Sequence, residues 1–514
     1  MIQSIINGFS LILQPTIIVL NLIGVAFGLI MGALPGLSTT MAIALALPIT
    51  FAMDPIPAMS LLMGIFTGGV AGGLVSAILI NIPGTPASVA TTFDGYPMAK
   101  NGQAQRALGT AMLSKFAGQL LGIVVLIAIA PPVARFALKF GAFELFALTL
   151  ASLTLIVTLS EGNQAKGFLS GLLGLILCLV GNAPIDGLPR YTFGFQELNA
   201  GFGILPFLIG LFGISEVLKN AEKSRSAEKK DVKIQVESLK GFGISLIELF
   251  RQGVNIIIST TIGVIIGILP GIGSGTSNVL AYMVEKKRSK YPEKFGTGII
   301  DGIVASEAGG GGAIGGAMIP MLTLGIPGDA VTAMVLGGLM LHGLQPGPLL
   351  FVNNADVVNS IFASLLLGNL FMLVLCYFGI KLFVKVLRIP EHYLYPAIFV
   401  LCALGAFGAS SRVFDVSAMI LFGIIGFLMV KFDMPNTPII LGFMLGSMNE
   451  TNLRRGLMRT DGSFLAFFES PVAAALIVVA VISVLYPFVK KFIMRSKAKK
   501  AEDNPQGETV VLNK

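Results

Sequence analysis

The chain contains no tryptophan, three cysteines and two histidines, and charged residues make up only 12% of its 514 positions. Each scarcity excludes something. Cys178, Cys376 and Cys402 lie far apart inside apolar runs, so no pair has disulfide, redox or metal spacing and they read as small hydrophobes. No His/Cys/Asp metal cluster, no nucleophile with a base at local spacing and no phosphate-binding Gly-x-x-x-x-Gly-Lys-Ser/Thr appears, so no cofactor or metal is expected. The low charge, set against 54% apolar residues, 62 glycines and a mean hydropathy of +0.85, excludes a soluble globular protein. Without tryptophan, anchoring at a membrane interface falls to eight tyrosines, the phenylalanines and snorkelling cations. Residues 1–15 lack the basic region and small-residue cleavage site of a signal peptide, so no cleavage is expected there.

What is present is a series of hydrophobic runs, many interrupted by Gly or Pro. A full span needs about 20 apolar residues. The chain therefore reads as an all-α, polytopic integral membrane protein with about a dozen transmembrane or re-entrant segments, arranged as two inverted repeats with Pro-Gly-broken helices. Its partner is the lipid bilayer. The net charge of +8 lies in loops and tail, where it reports orientation rather than a nucleic-acid partner.

The hydrophilic stretch Lys219 to Lys240 holds seven Lys or Arg against four Asp or Glu and divides the chain near its middle. Either side of it the same features recur in the same order. Gly28-Leu-Ile-Met-Gly-Ala-Leu-Pro35-Gly36 matches Gly263-Val-Ile-Ile-Gly-Ile-Leu-Pro270-Gly271, and Ile82-Pro83-Gly84 matches Ile326-Pro327-Gly328. The charges of the following loops are reversed. In the first half the loop at Phe51 to Ala58 has no Lys or Arg and the next carries Lys100 and Arg106. In the second half Glu285-Lys-Lys-Arg-Ser-Lys290 comes first and the uncharged Gly343 to Asn354 second. If cations mark the cytoplasm, equivalent loops lie on opposite sides. The expected organisation is a first membrane repeat over 1–218, a basic cytoplasmic linker over 219–240, a second repeat over 241–460, a C-terminal membrane segment over 461–490 and a cytoplasmic tail over 491–514. Arg135, Lys139 and Arg454-Arg455 then face outward against the strict rule.

In a bilayer, non-helical backbone is tolerated only where protein or a water-filled cavity satisfies its polar groups. The four Pro-Gly breaks therefore imply an internal polar site between broken helices. Gly permits close approach, and hydroxyls and amides supply neutral donors and acceptors suited to a carboxylate or a sodium ion. The candidate substrate-binding residues are Pro35, Gly36, Ser38 and Thr39; Asn81, Pro83, Gly84, Thr85 and Ser88; Gly271, Gly273, Ser274 and Thr276; and Pro327, Gly328 and Thr332. Ser88, Thr91 and Thr92 fall at helical spacing after their turn and can present donors at a helix N-terminus. The alternatives are close helix packing, a proline kink and ordinary helix capping by Thr85 or Ser88.

Glu307 stands in an otherwise uncharged, glycine-rich run and Asp329 directly follows Pro327-Gly328. Both are coupling-ion candidates. A carboxylate inside a membrane is a functional residue by default, against a structural bond to freed amides for Glu307 or a plain N-cap for Asp329. Asp301 reads as an interfacial charge, Asp94, Tyr96 and Lys100 as a cytoplasmic loop anchor, and His342 and His392 as solvated residues at segment ends.

These motifs, with Ser76-Ala-Ile-Leu-Ile-Asn81-Ile-Pro-Gly-Thr-Pro-Ala-Ser88, Phe93-Asp-Gly-Tyr-Pro-Met-Ala-Lys100 and Pro320-Met-Leu-Thr-Leu-Gly-Ile-Pro-Gly328, closely resemble the large membrane subunit of the tripartite tricarboxylate transporters, from about Gly24 to Gly456. The resemblance implies a bacterial inner-membrane permease, not an enzyme. Such a permease works with a small membrane subunit and a periplasmic solute-binding protein, and takes up citrate-like or other carboxylates by symport with Na+ or H+. The chain departs from the family pattern around Glu307: Ser306 replaces a proline and Gly310-Gly311 an Asn-Asn pair. It also departs at Asp329, which stands where Ser often follows Ile-Pro-Gly. These changes alter donor count and charge, and open the expectation to smaller carboxylates or a different coupling ion. The rival readings are a passive channel for small anions and an intramembrane enzyme using Glu307 and Asp329 as an acid pair, which requires both to reach one substrate atom.

Overall fold

The computed structural model describes residues 2–159, 164–226, 242–386 and 391–485. The tail expected over 491–514, and the linker from 227 to its end at 240, lie outside the described residues. The first half comprises α1 (Ile2–Ile12), α2 (Pro15–Ala33), α3 (Thr39–Thr50), α4 (Pro55–Ile80), a 3-10 turn (Pro86–Ser88), α5 (Thr91–Met98), α6 (Ala104–Ala137), α7 (Ala142–Leu159) and α8 (Gln164–Cys178). A two-stranded antiparallel hairpin, β1 (Gly181–Asn182) and β2 (Pro189–Arg190), then leads to α9 (Ile204–Leu208), a π-helical stretch (Ile209–Ile214) and α10 (Ser215–Ser226). α10 carries helix into the first residues of the expected linker. The second half runs through α11 (Leu246–Arg251), α12 (Gly253–Ile268), α13 (Gly273–Arg288), α14 (Ile300–Leu324), α15 (Ala330–Leu341), α16 (Leu350–Asn353), α17 (Ala355–Val386), α18 (Glu391–Ser410), α19 (Val413–Lys431), α20 (Asn436–Arg459) and α21 (Pro471–Leu485).

Six of the described helical stretches are long and apolar enough to cross a membrane, and seven shorter ones are strongly apolar. Large apolar side chains such as Val19, Ile23, Val124, Ile176, Ile257 and Leu421 point outward, as lipid-facing residues do. Together these make the chain an all-α, polytopic membrane protein, with the small hairpin as its one sheet among the described residues.

Glycine sets the interior. A Cβ on Gly28 would stand 2.4 Å from the Ile65 carbonyl oxygen and one on Gly32 2.1 Å from that of Gly69. The contacts climb together, so α2 and α4 run parallel with α3 returning between them. In the second half a Cβ on Gly263 would lie 2.0 Å from the Gly309 oxygen and one on Gly267 2.7 Å from that of Ala313, and α12 and α14 are parallel in the same way. Small residues are what allow backbones to approach this closely in lipid, where packing replaces the hydrophobic drive.

The turns also correspond. Leu34 and Leu269 are extended, with φ and ψ of −76° and 119° and of −77° and 120°, and Gly36 and Gly271 follow at φ 85° and 82°. At both glycines the left-handed backbone reverses the chain and disfavours any residue with a Cβ. α4 ends at Asn81, φ 58°, and α14 at Gly325, φ 71°, so each long helix stops in a left-handed cap before its second break.

The basic loops of the two halves meet on one face. Asp94 Oδ1 accepts the backbone N–H groups of Gly296, Gly298 and Ile299 at 2.8–3.1 Å, and Arg106 pairs with Glu248 at 2.8 Å. At the other end, Gly338 of α15 abuts Leu47, Met59 and Leu62 of α3 and α4, while Arg135 shares a cavity of about 340 Å³ with Pro348 and Phe351.

Candidate functional site

The four breaks are joined through α13. Within the second half the Gly271 N–H donates to the Gly328 carbonyl at 2.8 Å, and a Cβ on Gly273 would touch Asp329 Cβ at 2.9 Å. Two residues on, a Cβ on Gly275 would meet Pro86 Cβ at 3.0 Å, in the first half's break. One helical turn of α13 thus bridges Pro327-Gly328-Asp329 and Pro83-Gly84-Thr85-Pro86. Within the first half the breaks also touch, since a Cβ on Gly84 would fall 2.2 Å from the Gly32 oxygen, as one on Gly328 would 2.5 Å from that of Gly267.

Asn278, one turn further along α13 and beyond the expected site residues, closes this bridge. Its Oδ1 accepts the Ala90 N–H at 2.7 Å, and its Nδ2 donates to the carbonyls of Ala87 at 2.7 Å and Ser306 at 2.9 Å. The helix N-terminus reading of this turn is modified accordingly. The Ala90 amide is held by Asn278, the Ser88, Val89, Thr92 and Phe93 amides by local carbonyls, and Thr85 and Ser88 contribute hydroxyls 3.4 Å apart. Asn81 and Pro83 are exposed at the mouth of this turn, whereas Gly84, Thr85 and Ser88 are buried below them.

The other expected residues are placed as follows. Ser38 caps α3, accepting the Met41 N–H at 3.1 Å; Thr39 is buried against Gly69; and the Gly36 carbonyl, beside half-buried Pro35, accepts from Asn220 of α10 at 2.8 Å. Ser274 is half-buried and the Thr276 hydroxyl donates back to the Ile272 carbonyl at 3.4 Å. Asp329 accepts the Thr332 N–H and hydroxyl, each at 2.8 Å, while Thr332 Oγ1 accepts the Asp329 N–H at 2.9 Å. This reciprocal capping box starts α15 and engages the Asp329 carboxylate.

Glu307 lies elsewhere. Gly328 abuts Ala317 of α14, and Glu307 is ten residues before Ala317, about 15 Å along the helix. The two acids do not reach a common atom, so the geometry an acid-pair enzyme requires is missing. Glu307 is fully buried, and 3.0 Å from its Oε2 stands the ammonium of Lys115 on α6, also fully buried. Oε1 accepts a hydrogen bond from the Thr91 hydroxyl, itself 3.2 Å from Ser306 Oγ. Beyond this contact neither Lys115 Nζ nor Glu307 Oε2 has a hydrogen-bond partner among the described residues, and the buried Ser114 Oγ, Gln119 Oε1 and Thr260 Oγ1 have none either. The glycine run makes room for the lysine: a Cβ on Gly310 would sit 3.1 Å from both Lys115 Nζ and the Ala87 carbonyl oxygen. The pair is therefore directly behind the first half's break.

Lys115 was not singled out from sequence, although the signal is there. It is the one charged residue between Arg106 and Arg135.

A model of the tripartite tricarboxylate transporter TctA family matches residues 18–441. An uncharacterised 52.8 kDa protein from the TAR-I ttuC′ 3′ region of Agrobacterium vitis is 37% identical over 507 residues, covering 97% of this chain and 98% of that protein. A protein from the TAR-II ttuC′ 3′ region of the same organism is 36% identical over 231 residues, covering 44% of this chain and 96% of its own length. No solved structure matches.

Proposed function

Because the chain belongs to the tripartite tricarboxylate transporter TctA family, we propose that it is the membrane permease subunit of a binding-protein-dependent secondary transporter that takes up tricarboxylates or related carboxylates by symport with a cation, Na+ or H+. It works with a small membrane subunit and a periplasmic solute-binding protein in a bacterial inner membrane. The linker and C-terminus are cytoplasmic, and the two halves are inverted repeats. The matching glycine seams and turns of the two halves, with the basic loop of one beside the basic loop of the other, support that arrangement.

The observation that carries the reading is the intramembrane break at Asn81 to Ser88, held against α13 of the other half, with a buried carboxylate, Glu307, behind it. Backbone that leaves the helix inside lipid needs a polar lining, and an ionisable group there marks an ion or substrate path. The site is built from Thr85, Ser88, Thr91 and the start of α13, with Glu307 as the coupling carboxylate and Asp329 as the cap of α15.

The test is uptake into proteoliposomes holding this chain and its small membrane subunit, with loaded binding protein outside. Accumulation of carboxylate above the external concentration under an imposed cation gradient supports symport. Equilibration without accumulation would make the protein a channel.

A further inference from the structure

Glu307 is the coupling carboxylate of the proposed symport, yet an ammonium, that of Lys115, already occupies the place beside it that an ion would take. Resting on the carboxylate-symport reading and deepening it, we propose that Lys115 is the counter-charge of the transported carboxylate and that a proton arriving on Glu307 releases it, so that the coupling ion is H+.

Charge balance is the first argument. The pair is neutral and fully buried. A cation alone would leave it positive and a carboxylate alone negative, and an uncompensated charge in such surroundings is strongly unfavourable. A proton and a carboxylate together keep the site neutral. The proton goes to Glu307 Oε2, the contact with Lys115 breaks, and the ammonium pairs with the incoming carboxylate. On the other side the carboxylate departs, Glu307 loses its proton and the contact re-forms. One proton moves with each carboxylate group so bound, and no other reactant is required.

The second argument concerns the ligands a metal cation would need. Asn278 Oδ1 accepts from Ala90, the carbonyls of Ala87 and Ser306 accept from Asn278, Thr91 donates to Glu307 Oε1, and the Lys115 ammonium stands at Oε2, so a metal cation would have to displace the ammonium as well as share these acceptors. A proton needs none of them. The third is the unused polar capacity around the ammonium. Lys115 has three N–H groups, and apart from the Glu307 contact its Nζ has no hydrogen-bond partner among the described residues. A buried polar group left unpaired calls for a reason, and a carboxylate held on Lys115 supplies one.

The remaining titratable groups facing this region are engaged. Asp94 on α5 takes three backbone N–H groups and the Tyr282 hydroxyl of α13. Asp301, at the start of α14, accepts from Gln252 and Ser289, and Arg106 on α6 pairs with Glu248. α4 and α12 contribute no titratable side chain. Glu307 is left as the carboxylate whose only charged partner can be exchanged for a ligand.

The experiment uses the reconstituted transporter with labelled citrate and succinate, an alkaline interior and no Na+. The expected result is accumulation driven by the pH gradient alone, with apparent affinity falling as the external pH rises, by up to about tenfold per pH unit for one proton taken up with each carboxylate. In Glu307→Gln the affinity no longer varies with pH and gradient-driven accumulation is lost. In the neutral double variant Lys115→Met/Glu307→Gln, monodisperse in detergent, carboxylate binding is lost. Uptake that requires Na+ and ignores the pH gradient overturns the proton assignment while leaving carboxylate symport intact; accumulation under neither gradient overturns both. Gradient-driven uptake surviving in the double variant overturns the role of the pair.

Discussion

Asn278 Oδ1 accepts the Ala90 N–H at 2.7 Å, a side chain of the second half satisfying the backbone of the first half's break. Replacing it by leucine strands that N–H and loses the donor to Ala87. Each unsatisfied buried group costs about 1–3 kcal/mol. Asn278→Leu should therefore unfold at clearly lower temperature in detergent, and Asn278→Ser should recover part of the loss. A wild-type melting temperature in the leucine variant would show that this contact does not hold the turn.

The equivalence of the two halves can be tested at Gly84 and Gly328, where an added methyl would lie 2.2 and 2.5 Å from the carbonyl oxygens of Gly32 and Gly267. Backbone cannot yield cheaply at those distances. Gly84→Ala and Gly328→Ala are each expected to abolish a monodisperse peak in size-exclusion chromatography. Gly253→Ala, with open space around it, should leave the peak unchanged and is the control.

Lys115→Met removes one member of a fully buried pair. Such a change typically costs about 3–5 kcal/mol, because the remaining charge is left bare, whereas replacing both members is often neutral. The single variant should be poorly stable and Lys115→Met/Glu307→Gln should regain most of the loss. Thermal unfolding of the three proteins gives the comparison directly.

Asp329→Asn preserves the side-chain acceptor of the α15 cap, and asparagine caps as well as aspartate. Uptake by this variant should keep the wild-type cation dependence. Asp329→Ala should lose about 1 kcal/mol of stability. A change of coupling ion in Asp329→Asn, measured in proteoliposomes, would return this residue to the ion path.

The hairpin between α8 and α9 offers a pH test away from the membrane-spanning helices. The Arg454 guanidinium, 2.9 Å from Asp186, holds that carboxyl below the ordinary aspartate range, and Arg190 pairs with Glu450 at 2.7 Å. A carboxylate whose folded value is depressed contributes stability above its unfolded value and loses it as the pH falls through the folded one. Because the chain has no tryptophan, Tyr191→Trp gives a single reporter beside β2. Its emission should be constant from about pH 8 to pH 5 and shift only below about pH 4, near and below the ordinary aspartate value. A transition near neutrality would place control of the hairpin elsewhere.

Much of this architecture is legible in the sequence because its signals are local. Pro35-Gly36 and Pro270-Gly271 mark turns by their own backbone chemistry, apolar runs mark the helices, and Glu307 stands out against an uncharged background. Asp94 acts as the loop anchor its surroundings suggest. Lys115 was missed for a physical reason. A lysine eleven residues into a helix that begins at a basic loop reads as one that snorkels back to the interface. Only the tertiary arrangement turns it inward, toward the space left by Gly310. Asn278 belongs to the motif that follows Pro270-Gly271 and Asn220 to the expected linker, but an amide in a helix has many possible partners, and which it takes depends on which helix lies opposite.

The four consecutive glycines after Glu307 leave α14 without any side-chain cushion for one full turn, with Gly311 against α6 and Gly312 against α12. Slippage of α14 past either neighbour would drive peptide groups into peptide groups. Any displacement of α14 would therefore carry α6 and α12 with it, and the charge pair stays between the same two backbones. The helical geometry is interrupted at Asn101-Gly102, between α5 and α6, just ahead of this unyielding layer.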